Sequence, residues 1–228
     1  MFERVKKKIR FFEADTYPLQ IRLTAGNRTL YVKSNFFLQV QQFKYQQEAI
    51  YNKTKISVDD IIHREEDLMR HILGREREVV SLNQIREEYG FLSKDILNEL
   101  DENFKKFLVD FFHAENLPAY SLLIKNDGRN YTSSFILNSL EQSLQAPVLE
   151  KLLQTAAEQA PPYIPFIKFL KQSSDNALPI FSVYEWQQEE TPHRFRLFIE
   201  THFPQYVAHH PLEYIEALIA EPHVMHSS

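Results

Sequence analysis

Apolar residues change their spacing once along this chain. Between Tyr17 and Lys33 they alternate: Leu19, Ile21 and Leu23, then Leu30 and Val32, each set apart by one polar position. A period of two marks a half-buried strand. From Val58 onward they recur three and four positions apart, which marks amphipathic helices. A short sheet with one apolar face cannot bury that face alone, so helices must cover it. The expected fold class is α+β: a small N-terminal antiparallel three-stranded sheet followed by a mainly α-helical region. The expected division is a basic β-meander over 1–56 and a mainly helical, acidic region over 57–228, with a sub-boundary near 116–130.

The first strand is expected over Lys7 to Phe12, where Ile9 and Phe11 point one way and Lys8 and Arg10 the other. Glu13 to Pro18 connects it to the second. Ala25-Gly26-Asn27-Arg28 supplies residues that tolerate the backbone of a tight turn. The face opposite the apolar one carries Lys8, Arg10, Gln20, Arg22, Tyr31 and Lys33, with Lys6 and Arg28 at its rim. Phe36 to Val40 fits either an edge strand or the start of a helix.

Helix signals follow. Ser57 precedes Asp59 and Asp60 in the position of an N-cap with acid in the first turn, and Gly74 offers a stop. Ser81 to Tyr89 predicts a second helix ending before Gly90. The widest apolar stripe, Ile96, Leu97, Leu100, Phe104, Phe107, Leu108, Phe111 and Phe112, predicts a core helix from Ser93 to the Asn116-Leu117-Pro118 break. Lys125 to Arg129 reads as a loop. Further helices are expected at about 132–145, 147–160, 164–172, 192–202 and 211–221, and a lone strand over Phe181 to Trp186.

Composition removes whole classes of chemistry. The 228 residues include no Cys, which excludes disulfides, thiolate metal sites and cysteine nucleophiles. Only 4 are Gly, and no glycine-rich phosphate loop, nucleophile elbow or HExxH motif is present. His63 with His71, His193 with His202, and the His209-His210 pair lack partners at metal-ligand spacing, so neither a metal nor a cofactor is implied. Glu87-Glu88 and Asp59-Asp60 read as helix-surface charge rather than a catalytic dyad. No apolar run is long enough to cross a membrane, and the N-terminus lacks the apolar core of a secretory signal. The expected setting is the cytoplasm.

Charge is unevenly placed. Residues 1–58 hold 11 Lys and Arg against 4 Asp and Glu, a net of +7, while the remaining residues hold 15 against 27, a net of −12. Two arrangements fit this split: the basic end docks on the acidic remainder of the chain, or it meets an external anion.

The stretch Tyr17-Pro18-Leu19-Gln20-Ile21-Arg22-Leu23-Thr24, the following Gly-Asn turn and Leu30-Tyr31-Val32-Lys33 resemble the arm-type DNA-binding region at the N-terminus of tyrosine recombinases (integrases) of mobile elements, in the form common among Bacteroidetes-type sequences. The Phe-rich stripe from Leu100 to Phe112 is similar to the opening helix of their core-binding domain. The resemblance spans about residues 6–115. It departs at Ser34 to Val40, where the family has a different strand exit. His193-Arg194-Phe195-Arg196, followed by Tyr206 or Tyr214, has the spacing of part of the family's catalytic set without its flanking context, so the resemblance implies no cleavage activity. It implies a DNA-contacting relative without a cleavage domain, or the same fold put to another use. With the basic face of the sheet as candidate site, the expected function is a non-catalytic protein that contacts double-stranded DNA through Lys8, Arg10, Gln20, Arg22, Arg28, Tyr31 and Lys33. The alternative is a scaffold protein that binds a protein partner, or itself, through aromatic-rich helical stretches at Leu170–Trp186 and Pro192–Phe203.

Overall fold

The computed structural model describes residues 10–14, 17–25, 28–52, 56–74, 81–173 and 179–220. Lys6, Lys8, the centre of the Gly26-Asn27 turn and the tail from Met225 lie outside the described residues. The fold is mostly helical, with one small antiparallel sheet. Strands β2 (Tyr17–Ala25) and β3 (Arg28–Lys33) form a hairpin in which Gln20 lies opposite Lys33, Arg22 opposite Tyr31 and Thr24 opposite Thr29. The backbone of β1 (Arg10–Ala14) runs antiparallel beside β2, with Arg10 opposite Arg22 and an irregularity between Phe12 and Ala14. Leu19, Ile21, Leu23, Leu30 and Val32 are all buried, so the apolar side of the pleat faces the helices.

The stretch after the sheet resolves as helix. Ser34 caps α1 (Asn35–Val40) by accepting from the Phe37 N–H, which settles the Phe36–Val40 stretch. Next comes α2 (Phe43–Asn52), which the spacing of apolar residues did not predict. Helix α3 (Val58–Gly74) has the expected bounds. Helix α4 (Leu82–Leu92) starts at a Ser81–Gln84 capping box and runs through Gly90, because Leu92 beyond it is buried and holds the last turn in place. The core helix α5 (Ile96–Ala114) is capped by Asp95; Ser93, the expected start, instead ends α4.

The expected loop at Lys125 to Arg129 is mostly helix. Pro118 opens α6 (Pro118–Asp127), a place where its missing N–H costs nothing, and a single 3-10 turn covers Gly128–Asn130. Then follow α7 (Ser133–Ser143), α8 (Ala146–Gln159) and α9 (Tyr163–Ser173). Phe181 to Trp186 is not a strand. Ser182 makes one antiparallel bridge with Asp95, and a Ser182–Glu185 capping box then turns the chain into α10 (Val183–Trp186). The last described elements are α11 (Glu190–His202), a 3-10 stretch over Pro204–His209, and α12 (Pro211–Ala220).

Helix α5 is the axle. Ile96, Leu100, Phe104, Leu108 and Phe112 are fully buried along one stripe, and α6, α7, α9 and α12 pack around it. Each such side chain contributes roughly 1.5–3 kcal/mol by leaving water. The apolar cluster continues without a break into the underside of the sheet.

Helix α2 attaches to α5 by the buried Tyr45 ring and by a group of charges, not by an apolar stripe. Lys44 is 3% exposed, and its Nζ reaches Asp101 Oδ2 at 2.9 Å, Glu102 Oε1 at 2.8 Å and Asn98 Oδ1 at 2.7 Å. Lys105 Nζ lies 2.8 Å from the same Asp101 oxygen, and the other oxygen accepts the Ser133 N–H at 2.6 Å. Burial works against charge on Asp101, but Lys44 and Lys105 outweigh it and hold the carboxyl below its ordinary range. Burial likewise opposes charge on Lys44, and Asp101 and Glu102 outweigh it, holding the ammonium above its ordinary range. Two carboxylates and two ammonium groups thus share one site between α2, α5 and α7.

Removing one member of such a group strands the other charges in a dry site, which costs about 3–5 kcal/mol. Asp101→Ala is expected to lower the unfolding free energy in urea by that amount. Arg70→Ala removes exposed pairs with Glu66 and Asp67 and is expected to change it by about 0.5 kcal/mol or less.

Candidate nucleic-acid interface

The pleat sorts the hairpin's side chains as the alternation requires. Gln20, Arg22, Tyr31 and Lys33 share the outward face, with Thr24 and Thr29 nearer the turn. Lys33 is exposed and Tyr31 is 53% exposed. The Arg22 guanidinium lies over the Tyr31 ring, 5.8 Å from its centroid. That contact is worth about 0.5–1 kcal/mol at an exposed site, and it extends the arginine across the sheet instead of toward the rim. The Arg22 Nε is enclosed and has no hydrogen-bond partner. Among the described residues no carboxylate pairs with Arg22 or Lys33. Register places Arg10 beside Arg22 and Arg28 at the hairpin's turn end. Lys8 lies outside the described residues.

What holds this face in position is a buried network where β3 leaves the sheet. Ser34 N–H donates to the Leu19 carbonyl at 2.8 Å and closes the strand exit. The Ser34 hydroxyl donates to Glu65 Oε1 on α3 at 2.5 Å, and the Tyr89 hydroxyl on α4 donates to the same oxygen at 2.8 Å. Tyr89 in turn accepts the Asn35 N–H, and Asn35 Nδ2 donates to the Ser93 hydroxyl at 2.7 Å. Glu65 is fully buried, its Oε2 has no partner, and no cation stands beside it among the described residues. Burial pushes its pKa up to about 7, against the lowering effect of the Ser34 and Tyr89 hydrogen bonds. Asp95 behaves similarly. Burial pushes it up to about 6, although it accepts from the Phe181 and Asn98 N–H groups and the Tyr45 hydroxyl.

No signal in the sequence marked Glu65 or Tyr89, since both sit at helical positions where a polar side chain reads as surface. The other sequence candidates scatter. No group of three or more His, Asp or Glu with metal-holding geometry exists among the described residues. His193 and Arg196 are exposed on α11, while Tyr206 is buried at 4% exposure. The aromatic stretches also change meaning. Within them Phe181, Trp186 and Phe195 are buried in the core around Phe166, with ring centroids 5.2–6.0 Å from it or from one another, while Tyr184, Phe198 and Phe203 are half-buried. No described helix is long and apolar enough to cross a membrane.

A carboxyl whose folded pKa lies above its unfolded value holds a proton that unfolding releases. The stability Glu65 contributes is therefore full below about pH 4.5 and is lost as pH rises through about 7. Glu65→Gln removes this titration. Its unfolding free energy, relative to the unsubstituted chain, is expected to rise between pH 5 and pH 8 by on the order of 3 kcal/mol. A constant difference across that range, measured by urea denaturation at each pH, would show the carboxylate to be ionised throughout.

No family model, no curated protein and no solved structure matches the chain.

Proposed function

We propose that the chain is a non-catalytic nucleic-acid-binding protein that sets the open face of its sheet against double-stranded DNA. The observation that carries this reading is the hairpin's outward face. Gln20, Arg22, Tyr31 and Lys33 stand together there, unneutralised by any described carboxylate, while the apolar side of the same strands is buried. Lys and Arg supply the point charge and forked donors that phosphate takes, and Gln and Arg carry the donor and acceptor pairs that read base edges. A two- or three-stranded ribbon is narrow enough to enter the major groove. Lys8, Arg10 and Arg28 are the further DNA contacts this reading expects. The likeness of Tyr17–Thr24 and Leu30–Lys33 to the arm-type region of mobile-element recombinases points the same way. A cytoplasmic setting is part of this reading.

Fluorescence anisotropy with a mixed-sequence duplex between about 50 and 200 mM salt tests it. Affinity is expected to fall steeply with salt. Arg22→Ala and Lys33→Ala are each expected to weaken binding and to flatten the slope of log K against log salt by about one unit. Binding that ignores salt, or is absent at the low-salt end, would falsify the reading.

A further inference from the structure

A second surface, apolar rather than basic, is built from helices α2, α6 and α7. Helices α6 and α7, joined by the 3-10 turn, splay to leave a groove of about 470 Å³. Its walls are Tyr120, Leu123 and Ile124 from α6, and Phe135, Ile136 and Leu140 from α7. Asp127 is the one charged side chain lining it among the described residues. Beside the groove stands a ridge. Phe43 and Ile50, seven positions apart on α2, share one helix face and are 57% and 70% exposed. Tyr51, 51% exposed, joins ridge to groove: its ring meets Phe135 edge-on at 5.2 Å, and Phe135 stacks on Tyr131 at 4.8 Å.

We propose that this ridge and groove form the interface of a homodimer, with the α2 ridge of each copy seated over the α6–α7 groove of the other. Two features select a second copy as occupant. The first is area. From their exposures, Phe43, Ile50, Tyr51 and Leu123 present on the order of 450 Å² of apolar surface. A standard interface buries roughly 800 Å² per partner and is a little over half apolar. The patch therefore matches one side of such an interface. The second is placement. Ridge and groove adjoin on one surface, so a twofold axis near the Tyr51–Phe135 contact fills both grooves with both ridges, as an isologous dimer requires. The lining also lacks a set of like charges that would select a charged partner, and depletion of charge with enrichment of rings is the mark of an interface centre.

Sedimentation velocity of the full chain from about 1 to about 100 µM reads the outcome. The expected result is a concentration-dependent shift from one copy to two. Ile50→Glu and Leu123→Glu, both at exposed positions, are each expected to weaken dimerisation at least tenfold while leaving the far-ultraviolet circular dichroism spectrum and Tm in place. Because the chain has no Cys, Ile50→Cys chains mixed with Leu123→Cys chains should form a disulfide between copies on oxidation. A chain that stays monomeric throughout overturns the proposal. So does a dimer that neither charge weakens and the cysteines do not cross-link. A monomer whose groove is filled by a different protein overturns it as well.

Discussion

Asp101 is the constraint on which the rest of the structure depends. Its carboxylate is 1% exposed and is shared by Lys44, Lys105 and the first N–H of α7. A carboxylate that deep is tolerated only when its lone pairs are nearly all taken, so α2 and α7 must both arrive for α5 to pack at all. The apolar stripe of α5 permits many partner arrangements, since Leu and Phe impose no direction. The ion group permits few, because Lys44 must come within about 3 Å of oxygens on two successive residues of one helix turn. Packing thus supplies most of the stability, and the charge group supplies the register.

The junction at Glu65 is built on the opposite principle. It too joins several elements, β3, α1, α3 and α4, through hydrogen bonds to one buried carboxyl. Here hydroxyl groups do what ammonium groups do at Asp101, and they cannot offset the loss of water around a charge. The two sites therefore respond to pH in opposite senses. Asp101 favours the folded chain when ionised, and Glu65 when protonated. Of these two attachments, the one at Glu65 is the one that weakens as pH rises through about 7.

The strands were legible because a half-buried ribbon writes its two faces directly into alternation, and the sorting of Leu19, Ile21 and Leu23 from Gln20, Arg22 and Thr24 holds residue by residue. Helix α5 was legible because its stripe is wide and unbroken. Helix α2 was not. It is rich in glutamine, its ridge residues Phe43 and Ile50 face solvent, and its decisive buried contact is a lysine, which periodicity counts as surface. The short helix α10 reads as a strand because Phe181, Val183, Tyr184 and Trp186 are β-formers. A capping box of one Ser and one Glu outweighs that preference. The charge split was visible, but its meaning was not, because a total does not say which cations are spent inside the chain. Lys44, counted with the basic end, is consumed inside the chain by Asp101 and Glu102, whereas no described carboxylate pairs with Arg22 or Lys33.

That division bears on how strongly the proposed DNA face could hold. A hairpin offers few cations, and four phosphate contacts would lose on the order of a hundredfold in affinity between 50 and 200 mM salt. One copy would therefore bind weakly where salt is high. A dimer changes this without any new contact. Once one sheet is engaged, the second binds intramolecularly, and the joint affinity exceeds either alone wherever the spacing of the two faces matches the duplex. The basic face and the apolar ridge both lie on the first 52 residues, and the charge group at Asp101 fixes α2 while the Glu65 network fixes the strand exit. The stiffness of those two attachments, more than the number of cations, would set whether two sheets can meet one duplex in register.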